Sequence, residues 1–184
     1  MKPWYQQLFK RDADKYTLAH LSALHQQLVK TTAVTERNKA SVVETLRTIA
    51  ELIIWGDKHD AAFFDFFLEK QVLAIFWRLL AQEQTCVSVK VQLLQTISIL
   101  TQNIEAGPSV YFILSNNHIN ELIAHKFDFS HEELLAHYVS LLKAIALRLD
   151  AHTVQFFIGE APTRAAAAPT PQPRRSPPLI RRLR

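Results

Sequence analysis

Glycine is scarce: three residues in 184, at Gly56, Gly107 and Gly159. That leaves no glycine-rich loop to cradle a phosphate or a dinucleotide, and nucleotide-binding folds built on such loops are excluded. Cysteine is scarcer still. The lone Cys86 rules out an intramolecular disulfide framework and a cysteine zinc cluster, and a reducing, cytosolic compartment is the expectation. Long apolar runs are missing too. Met1-Lys2-Pro3-Trp4-Tyr5-Gln6-Gln7 has no run of signal-peptide length, and no later segment approaches the roughly 18 uninterrupted apolar residues of a spanning helix, so any membrane contact is expected to be peripheral. Acidic residues are absent after Glu160, where six of the eight prolines and six of the 21 Lys/Arg are found. Residues 1–160 therefore carry a net charge of −2 and the last 24 residues +6, so the overall +4 belongs to the tail.

Leu, Ile, Ala, Gln and Glu dominate the rest, and their spacing is helical. Leu18, Leu21, Leu24 and Leu28 share a face within 14–30. A second helix is predicted from Thr35 or Asn38 through Val42, Val43, Leu46, Ile49, Ile53 and Ile54, closed by Gly56 in the left-handed conformation. Asp57 or Asp60 is then expected to cap the next helix, a short one crowded with Phe63, Phe64, Phe66, Phe67 and Leu68. Further helices are predicted at 72–80, 87–104, 109–114 and 118–126, with breaks at Gly107-Pro108 and Asn116-Asn117. The last long helix is expected to start at Ser130, because Ser130-His131-Glu132-Glu133 has the capping-box spacing ahead of an apolar run from Leu134 to Leu149.

The sequence also repeats. Val43, Leu46, Thr48, Ile49 and Leu52 return as Val91, Leu94, Thr96, Ile97 and Leu100, and again, decayed, as Val139, Leu142, Ala144 and Ile145, a period of 48. An aromatic short segment follows each copy: Phe66-Phe67-Leu68, Phe112-Ile113-Leu114 and Phe156-Phe157-Ile158. A long helix followed by one or two short ones at this period resembles HEAT and armadillo units. The fold class predicted is all-α: an armadillo/HEAT-like α-solenoid segment of about three repeats. Three stretches are expected: an N-terminal extension over 1–14, the helical domain over 15–158, and a disordered Pro/Ala-rich basic tail over 159–184. The pattern stops inside the third repeat, so the helical segment is expected to be a shortened one whose last helix packs on repeats beyond it.

Candidate chemistry is thin. The histidine pairs His20/His25, His131/His137 and His118/His125 lie five, six and seven apart, not the three or four that puts two ligands on one helical face, so no metal is expected. Cys86 at a helix start, and Asp57, His59 and Asp60 at a helix end, are read as turn and cap residues; no nucleophile, base and orienting partner can be assembled from these spacings. No catalytic or cofactor-binding residue is assigned, and none is assigned to a partner. Binding is the expected mode, with polar positions on the long helices such as Glu44, Arg47, Glu51, Lys90, Lys143 and Arg148 as candidate contacts. Arg174-Arg175 and Arg181-Arg182-x-Arg184 offer an alternative, an adaptor for an anionic membrane or nucleic acid, but the tail lacks interleaved aromatics for base stacking.

Several segments resemble, in order, one known family. They are Val34-Thr35-Glu36-Arg37-Asn38-Lys39, Leu52-Ile53-Ile54-Trp55-Gly56-Asp57, Phe63-Phe64-Asp65-Phe66-Phe67-Leu68-Glu69-Lys70, Val91-Gln92-Leu93-Leu94-Gln95-Thr96, Leu114-Ser115-Asn116-Asn117, His125-Lys126-Phe127-Asp128-Phe129 and His131-Glu132-Glu133-Leu134. The likeness is to the FPL domain of endomembrane-trafficking proteins and covers about residues 15–158. It implies a cytosolic protein peripheral on Golgi, endosomal and lysosomal or vacuolar membranes. The implied role is in vesicle transport, endosome maturation and autophagy, including mitophagy in animals, with tethering-machinery and ubiquitin-ligase proteins as partners. It carries over no catalytic residue, no cofactor and no small-molecule substrate. A truncated or regulatory product, lacking what the rest of a longer solenoid supplies, is the other expectation.

Overall fold

The computed structural model describes residues 15–158. The predicted extension 1–14 and basic tail 159–184 lie outside them. The described residues are all helical, with no strand: α1 (Leu18–Lys30), α2 (Lys39–His59), α3 (Ala62–Glu69), α4 (Val72–Ala81), α5 (Val87–Asn103), α6 (Gly107–Ser115), α7 (Asn117–Ala124), α8 (Glu132–Ala146) and α9 (Gln155–Ile158).

Local chemistry sets most of these boundaries. Thr17 starts α1 by accepting a hydrogen bond from the His20 amide at 3.1 Å, satisfying one of the orphan donors of a first turn. Asn38 shapes the entry to α2 instead of capping it: its Oδ1 accepts from the Thr35 amide at 2.8 Å and its Nδ2 donates to the Ala33 carbonyl at 3.0 Å. The α3–α4 turn passes through Gln71 at φ 48°, the left-handed region. Pro108 lies in the first turn of α6, where its missing N–H costs nothing, and Asn116 accepts from the His118 amide at 3.0 Å to start α7.

Two predicted boundaries are corrected. Gly56 does not end α2; the helix runs through it to His59, and no glycine among the described residues has a positive φ. Glycine is needed there for space: a Cβ on Gly56 would lie 2.3 Å from the Phe63 Cβ. Ser130 does not cap α8. Its amide donates to Asp128 Oδ1 at 3.0 Å in a local turn, and the helix begins at Glu132 with no side-chain cap. The nearer acceptor took the serine before the capping box could form.

The long helices pack in series, α2 on α5 and α5 on α8, while α1 lies against α2, α3 and α4, and α4 bridges to α5 and α7. Repeat positions face the core: Leu46, Ile49 and Leu52 are 0% exposed, and Leu94, Ile97 and Leu100 are 0%, 3% and 1%. Phe63, Phe67 and Phe76 fill the space under the short helices. A buried polar relay joins the first two long helices. Arg47 Nε donates to Gln92 Oε1 at 2.9 Å, and Gln92 Nε2 donates to the fully buried Thr96 Oγ1 at 3.2 Å.

Candidate functional site

Several polar side chains among the described residues serve the helix ends of other segments. Arg148, near the end of α8, donates from Nε to the Thr101 carbonyl at 2.8 Å and from Nη2 to the Ile104 carbonyl, closing α5. Arg78 on α4 does the same for α1, reaching the Leu28 and Thr31 carbonyls at 3.0 and 3.2 Å. A guanidinium suits such places because its fork meets two carbonyls at once and its charge opposes the negative end of the helix dipole. At the opposite sign, Asp57 Oδ2 accepts from the Glu105 and Ala106 amides at 2.7 and 3.2 Å, just before α6. Lys58 reinforces that link with an exposed ion pair to Glu105 at 2.8 Å.

This placement corrects part of the predicted binding face. Glu44 and Lys143 are exposed and Lys90 is half-buried, but Glu51 is inside the protein. Its carboxylate, 1% exposed, receives Lys15 Nζ at 2.8 Å and Tyr16 Oη at 2.7 Å. Burial, the hydrogen bond to Glu51 and the carboxylate's charge together push the Tyr16 phenol far above its ordinary value. Arg47 and Arg148 point into hydrogen bonds within the fold. The six positions do not make one surface.

Nor does the structure bring together the residues weighed for chemistry. His59 stacks on Trp55 at 4.7 Å, with its Nδ1 2.7 Å from the Trp55 carbonyl. Neither aspartate is the cap of α3, which starts after Ala61 with no side-chain cap: Asp60 accepts from the Ala62 amide at 3.0 Å in the turn before it, and Asp57 serves α6. Cys86 stands just ahead of α5, with Sγ 3.4 Å from Ser88 Oγ. His25 and His125 are both held below the ordinary imidazole value, chiefly by burial; His25 meets Phe66 edge-on, and His125 lies edge-on to Trp77 and Phe127. No grouping of three metal-ligating side chains occurs among the described residues. None of their helices is long and apolar enough to cross a membrane.

What the surface does offer is a line of clefts between successive short helices. Between α3 and α6, a cleft of about 240 Å³ is lined by Phe64, Leu68 and Pro108 with Asp57 and Asp65 at its edge. Leu68 also lines an adjoining cleft of about 250 Å³, bounded by Phe112 and His118. A larger one, about 710 Å³ and open, lies between α6 and the turn from α8 to α9. On its polar rim, Asp150 Oδ1 accepts from the His152 amide at 2.8 Å, the Thr153 amide at 2.7 Å and the Thr153 hydroxyl at 2.9 Å. Those bonds, the Thr153 amide first, hold the Asp150 carboxyl below the usual carboxylate range. Beside the exposed Asp150, His152 and Gln155, two apolar side chains of the cleft also face solvent, Tyr111 at 51% and Leu147 at 85% exposure. Sequence reading missed this cleft. Asp150-x-x-Thr153 is a readable turn signal, but Tyr111 and Leu147 look like any other helical apolar residue until their neighbours are known.

Serially packed helices, polar groups turned to neighbouring helix ends and clefts between the short helices define an all-α protein. The chain belongs to the FPL family, described as an uncharacterised conserved protein, whose match covers residues 46–168. It is 48% identical over 151 residues to human Protein CLEC16A, covering 82% of this chain and 14% of that protein. It is 47% identical over 151 residues to the Drosophila melanogaster Protein CLEC16A homolog, with the same coverage. To Arabidopsis thaliana Protein TRANSPARENT TESTA 9 it is 47% identical over 150 residues, 82% of this chain and 18% of that protein. The chain thus spans less than a fifth of the length of these relatives. No solved structure matches it.

Proposed function

We propose that residues 15–158 form a segment of an armadillo-like α-solenoid that acts as a non-catalytic scaffold in endomembrane trafficking, endosome maturation and autophagy. The observation that carries this reading is the serial packing of α2, α5 and α8, with clefts opening between the short helices that follow them. A stack of this kind presents successive side chains on one continuous surface, the usual way an α-solenoid binds protein. Membership of the FPL family supports the trafficking role, with partners in the tethering or ubiquitin-ligase machinery and a peripheral place on Golgi, endosomal and lysosomal or vacuolar membranes.

The test is cell fractionation of the tagged full chain, followed by recovery of tethering and ubiquitin-ligase proteins from the membrane fraction. The wild type is expected on Golgi and endosomal membranes and to be released by salt. Tyr111→Asp combined with Leu147→Asp, at two exposed positions, is expected to keep the helical spectrum and lose those proteins. A wild type that stays off membranes and recovers none of them would refute the trafficking role. An unchanged double variant would remove the α6–α9 cleft as the contact.

A further inference from the structure

The outer side of α8 carries a second apolar stripe. Its inner side buries Leu134, Leu141, Ala144 and Ile145. Beside these, Leu135, Val139, Leu142 and Ala146 follow one another at helical spacing; Leu135 is 40% exposed, Val139 39%, Leu142 half-buried and Ala146 open. Phe129, 39% exposed and ahead of α8, packs its ring on Tyr138 of that helix at 5.2 Å. One repeat earlier, on α5, the equivalent residues are covered: Val87 is half-buried, Val91 is 6% exposed, Leu94 0% and Ser98 5%. The difference follows from packing, since α5 has a long helix on each side, α2 and α8, whereas α8 has one only among the described residues. A stripe built like one that is buried in α5 is therefore left uncovered by the described residues.

We propose that this stripe is the two-fold face of a homodimer, with α8 of one copy lying antiparallel on α8 of the other. Charge selects both the partner and the direction. Glu132 and Glu133 are exposed in the first turn of α8 and Lys143 is exposed in the last. An antiparallel pair centred near Val139 sets the acidic end of each helix beside Lys143 of its mate, while a parallel pair sets like charge against like. The two-fold closes on itself, so the apolar face is consumed without open polymerisation. The inference uses the serial packing of the long helices and is independent of the trafficking role.

The experiment is sedimentation equilibrium of the full 184-residue chain across micromolar concentrations. Expected is a reversible shift between 21.1 kDa and twice that mass. Val139→Asp should give a monomer with an unchanged helical spectrum, and the milder Val139→Ala should weaken dimerisation without abolishing it. In a Cys86→Ser background, Val139→Cys should form a disulfide-linked dimer under mild oxidation. Leu135→Cys alone should not, but should do so when combined with Lys143→Cys, which the antiparallel register places opposite. A wild type monomeric at every concentration, its stripe covered by another segment or left for another protein's helix, would overturn the proposal. So would a dimer that survives Val139→Asp, or cross-linking at Leu135→Cys alone in place of Val139→Cys.

Discussion

Gly56→Ala tests how closely α2 and α3 approach. In an exposed helix interior this substitution favours folding by about 1 kcal/mol, because alanine loses less backbone freedom. At Gly56 the sign is expected to reverse. The added methyl would lie 2.3 Å from the Phe63 Cβ and 2.6 Å from its Cγ. A Cβ is fixed by its own backbone, so no rotamer change clears the contact and the two helices must part. Phe63 is 2% exposed and meets Trp55 edge-on at 5.3 Å, so that movement also loosens the aromatic cluster. Overpacking costs about 1–3 kcal/mol; a fixed atom at this distance belongs at the upper end, and subtracting the helix gain leaves about 2 kcal/mol of destabilisation. For a domain of this size that is a fall of roughly 5–10 °C in Tm. Thermal melts followed by circular dichroism measure it, with Gly107→Ala as control. Nothing beyond its chain neighbours lies within 4 Å of a Cβ at Gly107, so only the strain of a side chain before Pro108 is added there and the loss should stay below that at Gly56. Adding Phe63→Leu should not rescue Gly56→Ala, since leucine keeps the offending Cβ. A Tm for Gly56→Ala at or above the wild-type value would refute the reasoning.

Three further outcomes are expected. The Tyr16 phenol titrates higher folded than unfolded, so its contribution is complete below pH 10 and is lost as pH rises beyond; Tyr16→Phe should flatten the alkaline limb of a stability–pH curve, and an unchanged limb would sever the Tyr16–Glu51 link. His25 and His125 titrate lower folded than unfolded, so stability should fall as pH drops through and below about 6.5, the unfolded imidazole value; chemical denaturation at pH 7 and pH 5 should show a smaller loss in His25→Phe and His125→Phe than in the wild type. Arg148→Ala should cost about 1.5–3 kcal/mol by uncapping α5, and Arg148→Lys should recover only part of it, because one ammonium cannot reproduce the forked contact to Thr101 and Ile104; full rescue by lysine would show that charge alone is at work.

Much of the helical layout was legible because it rests on local patterns. Apolar spacing located α1, α2, α4, α5 and α8, and Pro108 and Asn116 marked their breaks. The misreadings share a cause: the deciding neighbour lies in another segment of the fold, or is one of two local partners competing for the same group. Gly56 was read as a stop signal because its proximity to Phe63 depends on how α3 folds back. Glu51 looked solvated on a helical wheel, but its partners Lys15 and Tyr16 come from ahead of α1. Arg148 looked like a free basic residue until the end of α5 arrived beneath it. At Ser130 two local motifs competed, and the turn through Asp128 prevailed over the capping box. The clefts were illegible for the same reason, being properties of the gap between helices.

The arginine caps have a dynamic consequence. The last turn of α5 is held by a side chain from the end of α8, and the last turn of α1 by one from α4. Neither turn can fray without surrendering bonds supplied from elsewhere in the fold, so local opening at one helix end is tied to the seating of another helix. Amide exchange in these terminal turns should therefore track the undocking of α8 and α4, making a few backbone protons reporters of whether neighbouring layers are still joined.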